Sequence, residues 1–415
     1  MKINLHEFTG KENPWQPAFL EQRMDAFYQK RWAEQWHGEH ILRGRQPGKN
    51  SVRLFSNDYL GIANHPRIVD AQVEALRGGE ESVLMSGIFL HGENPQAALE
   101  KRLAEYVGMP AAILSQSGYA ANVGLLQAIA SEGVPVYIDM IAHASLWEGI
   151  HSAGATARPF RHNDLADLEK QMAAHGPGVL CVDSIYSTIG SICPLQEMVA
   201  LARSYGSLII VDESHSFGLL GESGAGLVHQ LGLADEVDFI TVSLAKAFAG
   251  RAGAIFCRQD FVDYFWFTAR PAIFSSCLLP HELAGLDATL ELIRNDHWRR
   301  ATLFENAGIL RTGLAQLGYN VSASQSQIIG IESGDEYTTL LFRKALEEQD
   351  IFGSVFCAPA TSARRALVRL SVNASLSLAE LERALGGFAA VRDQVGMWNW
   401  ASTRRRHSAG ERVAV

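Results

Sequence analysis

Three short stretches place chemically capable side chains just past apolar runs. Leu208-Ile209-Ile210-Val211 leads into Asp212-Glu213-Ser214-His215-Ser216-Phe217-Gly218. A carboxylate at the end of a buried strand is costly to ionise unless a cation faces it, and a protonated pyridine nitrogen is such a cation. Lys246 closes Val242-Ser243-Leu244-Ala245-Lys246, with Ala247 and Phe248 following. Apolar neighbours lower the pKa of an amine and make it a better partner for an aldehyde. Ser115-Gln116-Ser117-Gly118-Tyr119-Ala120-Ala121-Asn122 puts small residues where a helix begins, and open N–H groups at a helix start can hold a phosphate.

Taken singly, each has a plainer role: the Asp caps a turn, the Lys keeps its head in water, the Ser caps a helix. Together they match the set that holds pyridoxal 5′-phosphate (PLP), a Schiff-base lysine with an acidic partner for the ring nitrogen. A lysine, an acid and a phosphate-type helix start on strands of one sheet make that cofactor the expectation.

Those residues need a sheet to position them. Between about residues 95 and 260, short apolar runs at Ala111–Leu114, Val134–Ile138, Gly178–Val182, Leu208–Val211, Phe239–Val242 and Ala254–Phe256 read as buried strands. Helix-length stretches such as Asp164–His175 and Leu195–Ser204 lie between them. Repeated strand–helix–strand units imply an α/β fold with a mainly parallel sheet covered on both faces. Ligands of such sheets sit beyond the carboxyl ends of the strands, which is where all three motifs fall. After Pro280 a long helical pattern runs from His281 to about Leu317, and a last helix from Ala379 to about Val391. The expected organisation is a helical segment over 1–50, a large cofactor-binding domain over 51–285, a smaller α+β domain over 286–395 and a loose tail over 396–415. Apolar residues from Phe19 to Trp32 recur at helical spacing, so residues 16–36 read as an amphipathic helix.

Composition narrows the partners. Of 415 residues, 47% are apolar and 20% charged, as in an ordinary globular chain. A net charge of −9 argues against nucleic acid. The basic run Arg404-Arg405-Arg406 lies in the polar tail, and residues 400–415 read as dispensable. Five cysteines form no CxxC pair, which suits reduced thiols and calls for no metal. The N-terminus lacks the layout of a secretory signal, and no apolar run approaches the ~20 residues that span a bilayer. A cytoplasmic protein with no membrane partner is expected.

Four motifs in order, Ser56-Asn57-Asp58-Tyr59-Leu60-Gly61, Ser117–Asn122, Asp212–Gly218 and Ser243-Leu244-Ala245-Lys246, resemble the α-oxoamine synthases of PLP fold type I. A nearer resemblance, to the α-hydroxyketone quorum-sensing autoinducer synthases, rests on His143–Gly149, Val182–Thr188, Pro271–Ser276 and Ile351–Cys357. The resemblance implies a large domain with a mainly parallel seven-stranded sheet, a smaller C-terminal domain and a homodimer with a shared active site. It implies that Lys246 carries the cofactor and moves the α-proton, and that Asp212 pairs with the pyridine nitrogen. His143 would stack on the ring, while His215 and Ser187 would bond its phenolate oxygen. Ser117, Gly118, Tyr119 and Ser243 would hold the phosphate, with Ser275 and Ser276 reaching in from the partner subunit. Asn57 and Arg369 would meet the amino-acid substrate, Arg369 through a carboxylate fork. Taken as a lone residue, Arg369 has a less favoured alternative as an ordinary strand arginine.

One stretch departs from the family. Where α-oxoamine synthases carry a Gly/Ser-rich run ending in Arg, this chain reads Glu81-Ser82-Val83-Leu84-Met85-Ser86-Gly87-Ile88-Phe89-Leu90-His91. A pocket for a longer acyl chain or another donor would account for it. The implied reaction joins an amino-acid-type donor (2-aminobutyrate or S-adenosylmethionine) to a medium-chain fatty acyl-CoA. The alternatives are an 8-amino-7-oxononanoate synthase and, from another class, a non-catalytic PLP-binding regulator.

Overall fold

A computed structural model describes residues 18–78, 85–90 and 92–405. Its centre is a seven-stranded sheet of β2 (Ala111–Ser115), β3 (Pro135–Asp139), β4 (Thr156–Phe160), β5 (Val179–Asp183), β6 (Leu208–Asp212), β7 (Phe239–Ser243) and β8 (Gly253–Cys257), in the order β2-β8-β7-β6-β5-β3-β4. Only β8 runs against the rest. The carboxyl ends of the other six therefore share one edge, where β8 begins.

Alternate residues of the central strands feed two cores. Leu180, Val182 and Val211 join one, and Val179, Cys181 and Ile210 the other. Both faces are covered, so β5 reads as an unbroken apolar run until Asp183. The helices between strands begin where the sequence supplies caps: Ser117 accepts from the Ala120 amide, and Asp164 from the Asp167 amide.

A second sheet, in the order β1-β10-β11-β9, joins β1 (Val52–Leu54), β9 (Ile328–Gly334), β10 (Ile351–Phe356) and β11 (Ala366–Ser371). Residues 52–54, assigned to the large domain, pair in parallel with β10 of the C-terminal part. Pairing between strands so far apart in sequence leaves no trace in local pattern. The stretch expected as one helix from His281 is two, Pro280–Asn295 and His297–Gln316, broken at Asp296. Asn and Asp bond nearby backbone in place of the helix, which favours a break there.

The tail is also different from expectation. Met397, Trp400, Ser402 and Thr403 are buried, and Trp400 sits edge-on to Phe342, ring centroids 5.0 Å apart. Ser402 accepts from Asn320 Nδ2 through its carbonyl at 2.7 Å. Four residues within 396–405 are thus packed into the protein, while 406–415 lie outside the described residues. At the other end an α-helix over Ala18–Ala26 buries none of its residues and passes into a π-helix over Phe27–Gln35, where Trp32 is buried. Arg31 Nη2 and Trp36 Nε1 both donate to Glu336, at 2.9 and 2.7 Å, so this segment is tied to the second sheet's helix Glu336–Glu348. Phe19, Leu20 and Met24 stay exposed in the single chain, contrary to an amphipathic helix with a buried face.

Candidate active site

The shared strand edge holds a cavity of about 170 Å³, lined by Ser117, Gly118, Tyr119, Asn122, His143, Ser145, Asp183, Asp212, Ser214, His215, Ser243 and Lys246. Residues from several strand ends meet there, so the sheet does what its topology requires.

Lys246 is presented by a tight turn in which Ala249 N bonds the Lys246 carbonyl (2.9 Å) and Gly250 N the Leu244 carbonyl (3.1 Å). Burial lowers its pKa, Arg369 lowers it further, and Asp212 opposes both. A larger share of neutral amine is the result. Asp212 is buried and receives Ser214 N on Oδ1 (2.9 Å) and Asn122 Nδ2 on Oδ2 (2.7 Å). Beside it in register on β5 stands Asp183, whose carboxyl burial, then Asp212, hold well above the carboxylate range.

His143 precedes the helix Ala144–Ala153, its amide on Asp183 Oδ1 at 3.2 Å. Its side chain is exposed toward the cavity, where partial desolvation by the surrounding protein lowers its pKa, Lys246 adds to this, and Asp212 opposes. His215 is fully enclosed, its pKa pushed well below normal by burial, then by Lys246 and Arg369. Its Nδ1 lies 2.8 Å from Tyr59 Oη, and burial raises that phenol to about 12.

The phosphate-type loop is built by close approach. A Cβ on Gly118 would lie 2.7 Å from Ser243 Cβ, and one on Gly253 would collide with the Ser117 carbonyl. Only bare backbone lets the start of the helix Gly118–Ile129 lie against the end of β7. Ser243 N donates to Ser214 Oγ at 2.8 Å, closing that side.

Arg369 on β11 is buried over the Phe356 ring (4.6 Å), with Nη1 on the Ser187 carbonyl and Nη2 on Asn57 Oδ1, each 2.9 Å. Its Nε is buried without a partner. Asn57, Ser187 and Arg369 thus come together, and none of them is among the residues that line the cavity. Ser275 and Ser276 do not line it either. Ser275 Oγ bonds the Pro271 carbonyl in its own turn, and the Ser276 carbonyl takes Gln116 Nε2 at 2.7 Å, at the rim beside Ser117. Sequence reasoning did not single out Asn122, Ser145, Asp183 or Tyr59. Asn122 and Tyr59 lie inside two of the motifs, but only the folded neighbourhood gives them partners.

The residues fit PLP: a depressed lysine, a buried carboxylate for a ring cation and a side-chain-free cradle for a phosphate. Fold and site define a PLP-dependent enzyme of fold type I. A family profile described as "Aminotransferase class I and II" matches residues 49–388. The chain is 46% identical over 369 residues to a CAI-1 autoinducer synthase of Vibrio campbellii, covering 89% of this chain and 94% of that one. It is 34% identical to an 8-amino-7-oxononanoate synthase of Geobacter sulfurreducens, over 84% and 91%. A structure of SPT with its PLP internal aldimine superposes with a TM-score of 0.83 at 26% identity, over 92% of this chain and all of that one. The chain belongs to the aminotransferase class I and II family and, within it, to the α-oxoamine synthases.

Proposed function

We propose that this enzyme condenses an amino-acid-type donor, 2-aminobutyrate or S-adenosylmethionine, with a medium-chain fatty acyl-CoA, giving the aminoketone or enaminone precursor of an α-hydroxyketone signal. The observation that carries the reaction type is the meeting of Lys246, Asp212 and His143 in one cavity. The name of the relative at 46% identity supports the choice of product.

When bound, PLP supplies an aldehyde that condenses with amines and a ring that draws electrons from the donor's α-carbon. Asp212, fixed by two donors, keeps negative charge where the ring nitrogen's positive charge would lie. His143 would cover one face of the ring, with His215 on its oxygen side. Ser117, Gly118, Tyr119 and Ser243 would cradle the phosphate. Arg369 has N–H groups to spare after Ser187 and Asn57, and these suit the donor's carboxylate. Lys246, partly neutral, would take the proton from the α-carbon. The α-carbon would then bond to the acyl carbon as the thiolate of CoA leaves, and loss of the donor's carboxylate as CO2 would give the aminoketone; with S-adenosylmethionine the thioether group would leave as well, giving the enaminone.

On this reading the enzyme is a cytoplasmic homodimer whose partner subunit supplies Ser275 and Ser276, since neither reaches the cavity within one chain. No helix among the described residues is long and apolar enough to cross a membrane. The departure at 81–91 supports a different pocket from that of the 8-amino-7-oxononanoate synthases. Glu81, Ser82, Val83, Leu84 and His91 lie outside the described residues. Incubating purified protein and PLP with each donor and acyl-CoA pair, and weighing the products, tests the proposal. The product of alanine and a pimeloyl thioester, formed in preference, would overturn it.

A further inference from the structure

Asn122 is an expensive residue where it stands. It occupies the second turn of Gly118–Ile129, 1% exposed, beside the buried Ala121 and Val123. Its Oδ1 is buried with no partner. Asn is a poor helix former, and an orphaned carbonyl inside a protein is destabilising. The amide nitrogen explains its presence. Nδ2 donates to Asp212 Oδ2 at 2.7 Å and to Ser145 Oγ at 2.8 Å, which uses both of its protons. A carboxylate only accepts, so the orientation of the amide is set: nitrogen toward Asp212.

The second arm continues. Ser145 Oγ lies 2.7 Å from His143 Nδ1, and the Ser145 backbone amide donates to the same Nδ1 at 3.3 Å. A backbone N–H cannot accept, so Nδ1 is the acceptor and the proton of neutral His143 sits on Nε2. Because Ser145 Oγ already accepts a hydrogen bond from Asn122, its own hydroxyl proton is free to point at His143. The bonds run one way: from Asn122 to Asp212, and from Asn122 through Ser145 to His143.

We propose that Asn122 is the positioning residue of this site, tying the carboxylate that faces the ring cation to the histidine on the ring face and fixing the state of both. By donating to Asp212 it spreads that carboxylate's charge and keeps it from acting as a strong base. By donating to Ser145 it holds His143 in one tautomer. Asn122's side-chain hydrogen bonds go to Asp212 and Ser145 and not to Lys246, so it acts through those two partners.

The test uses the full chain loaded with PLP. Asn122→Ala removes both donors, and Asn122→Asp keeps the shape while adding a second carboxylate. Both variants should weaken PLP, measured by equilibrium dialysis, by about tenfold or more. Both should also move the pH midpoint of the bound cofactor's visible absorbance change upward, because a less compensated Asp212 favours any nearby cation; the shift should be larger for Asn122→Asp. Ser145→Ala should weaken PLP as well, and combining it with Asn122→Ala should cost less than the two single effects together, as members of one network do. A midpoint unchanged in both Asn122 variants would overturn the proposal even if PLP bound more weakly, since loss of packing alone lowers affinity. Strictly additive Ala effects would overturn the link to His143. If Asn122→Ala does not fold, the midpoint of Asn122→Asp decides the same question.

Discussion

The Arg369 guanidinium, on β11, donates to the Ser187 carbonyl, in the loop after β5, at 2.9 Å. One side chain thus joins a strand of the second sheet to the loop that follows a strand of the first. The loop it grips is itself pinned. Ser324 and Ser326 hydroxyls bond the Ile189 and Gly190 carbonyls (2.6 and 2.9 Å), and His162 Nε2 meets Ser191 Oγ at 2.9 Å.

Arg369→Ala should leave PLP affinity intact while lowering kcat/KM for the amino donor. Losing charged hydrogen bonds of this kind costs about 2–3 kcal/mol, or roughly 30- to 150-fold. Steady-state kinetics with varied donor concentration measure it. An unaltered KM for the donor would remove Arg369 from substrate binding.

Borohydride treatment of PLP-saturated protein, followed by peptide mapping, should label the peptide that contains Lys246 and no other. Lys246→Ala should bind PLP without covalent attachment and lose turnover by several orders of magnitude. A label elsewhere would dismantle the assignment of every residue around it.

Glu213, buried in the turn after β6, should make stability fall with rising pH. Burial raises its carboxyl to about 8, while Val228 N donating to Oε1 at 2.8 Å opposes the rise. A raised acid binds its proton more tightly folded than unfolded. The contribution is therefore full below the ordinary carboxyl pKa of about 4.5 and is lost as pH climbs through about 8. Denaturant titrations from about pH 5 to 9 should show the decline, and Glu213→Gln should flatten it. Some slope will persist, since burial also raises Glu100, to about 7. An identical slope in wild type and variant would contradict this role for Glu213.

Ending the chain at Asn399 should destabilise it. Trp400 packs beside Tyr319 and Phe342, and loss of a buried Trp side chain costs about 3–5 kcal/mol. A thermal melt matching that of the full chain would restore the view that this end is dispensable.

What could be read ahead of the structure follows from where information is local. The central strands were plain because both faces are buried, so every position is apolar. β4 was not: Thr156-Ala157-Arg158-Pro159-Phe160 is an edge strand, half-exposed except for Phe160, and carries a Pro that only an edge tolerates. Lys246, Asp212 and His143 were legible because each follows a strand or sits in an ordered motif. The Asn122–Ser145–His143 chain was not, since its members stand on two helices and a loop that only folding brings together. Helical spacing from Phe19 onward was real, yet spacing does not say what, if anything, covers the apolar side.

The missing side chains at positions 118 and 253 act as a ruler. They set how near the loop at Ser117 and Gly118 stands to the end of β7, the strand that leads to Lys246, and on the proposed reading they would fix the span between the two attachment points of the cofactor. Even one added methyl would push those elements apart instead of finding room, and a mutational scan should find no tolerated substitution at either.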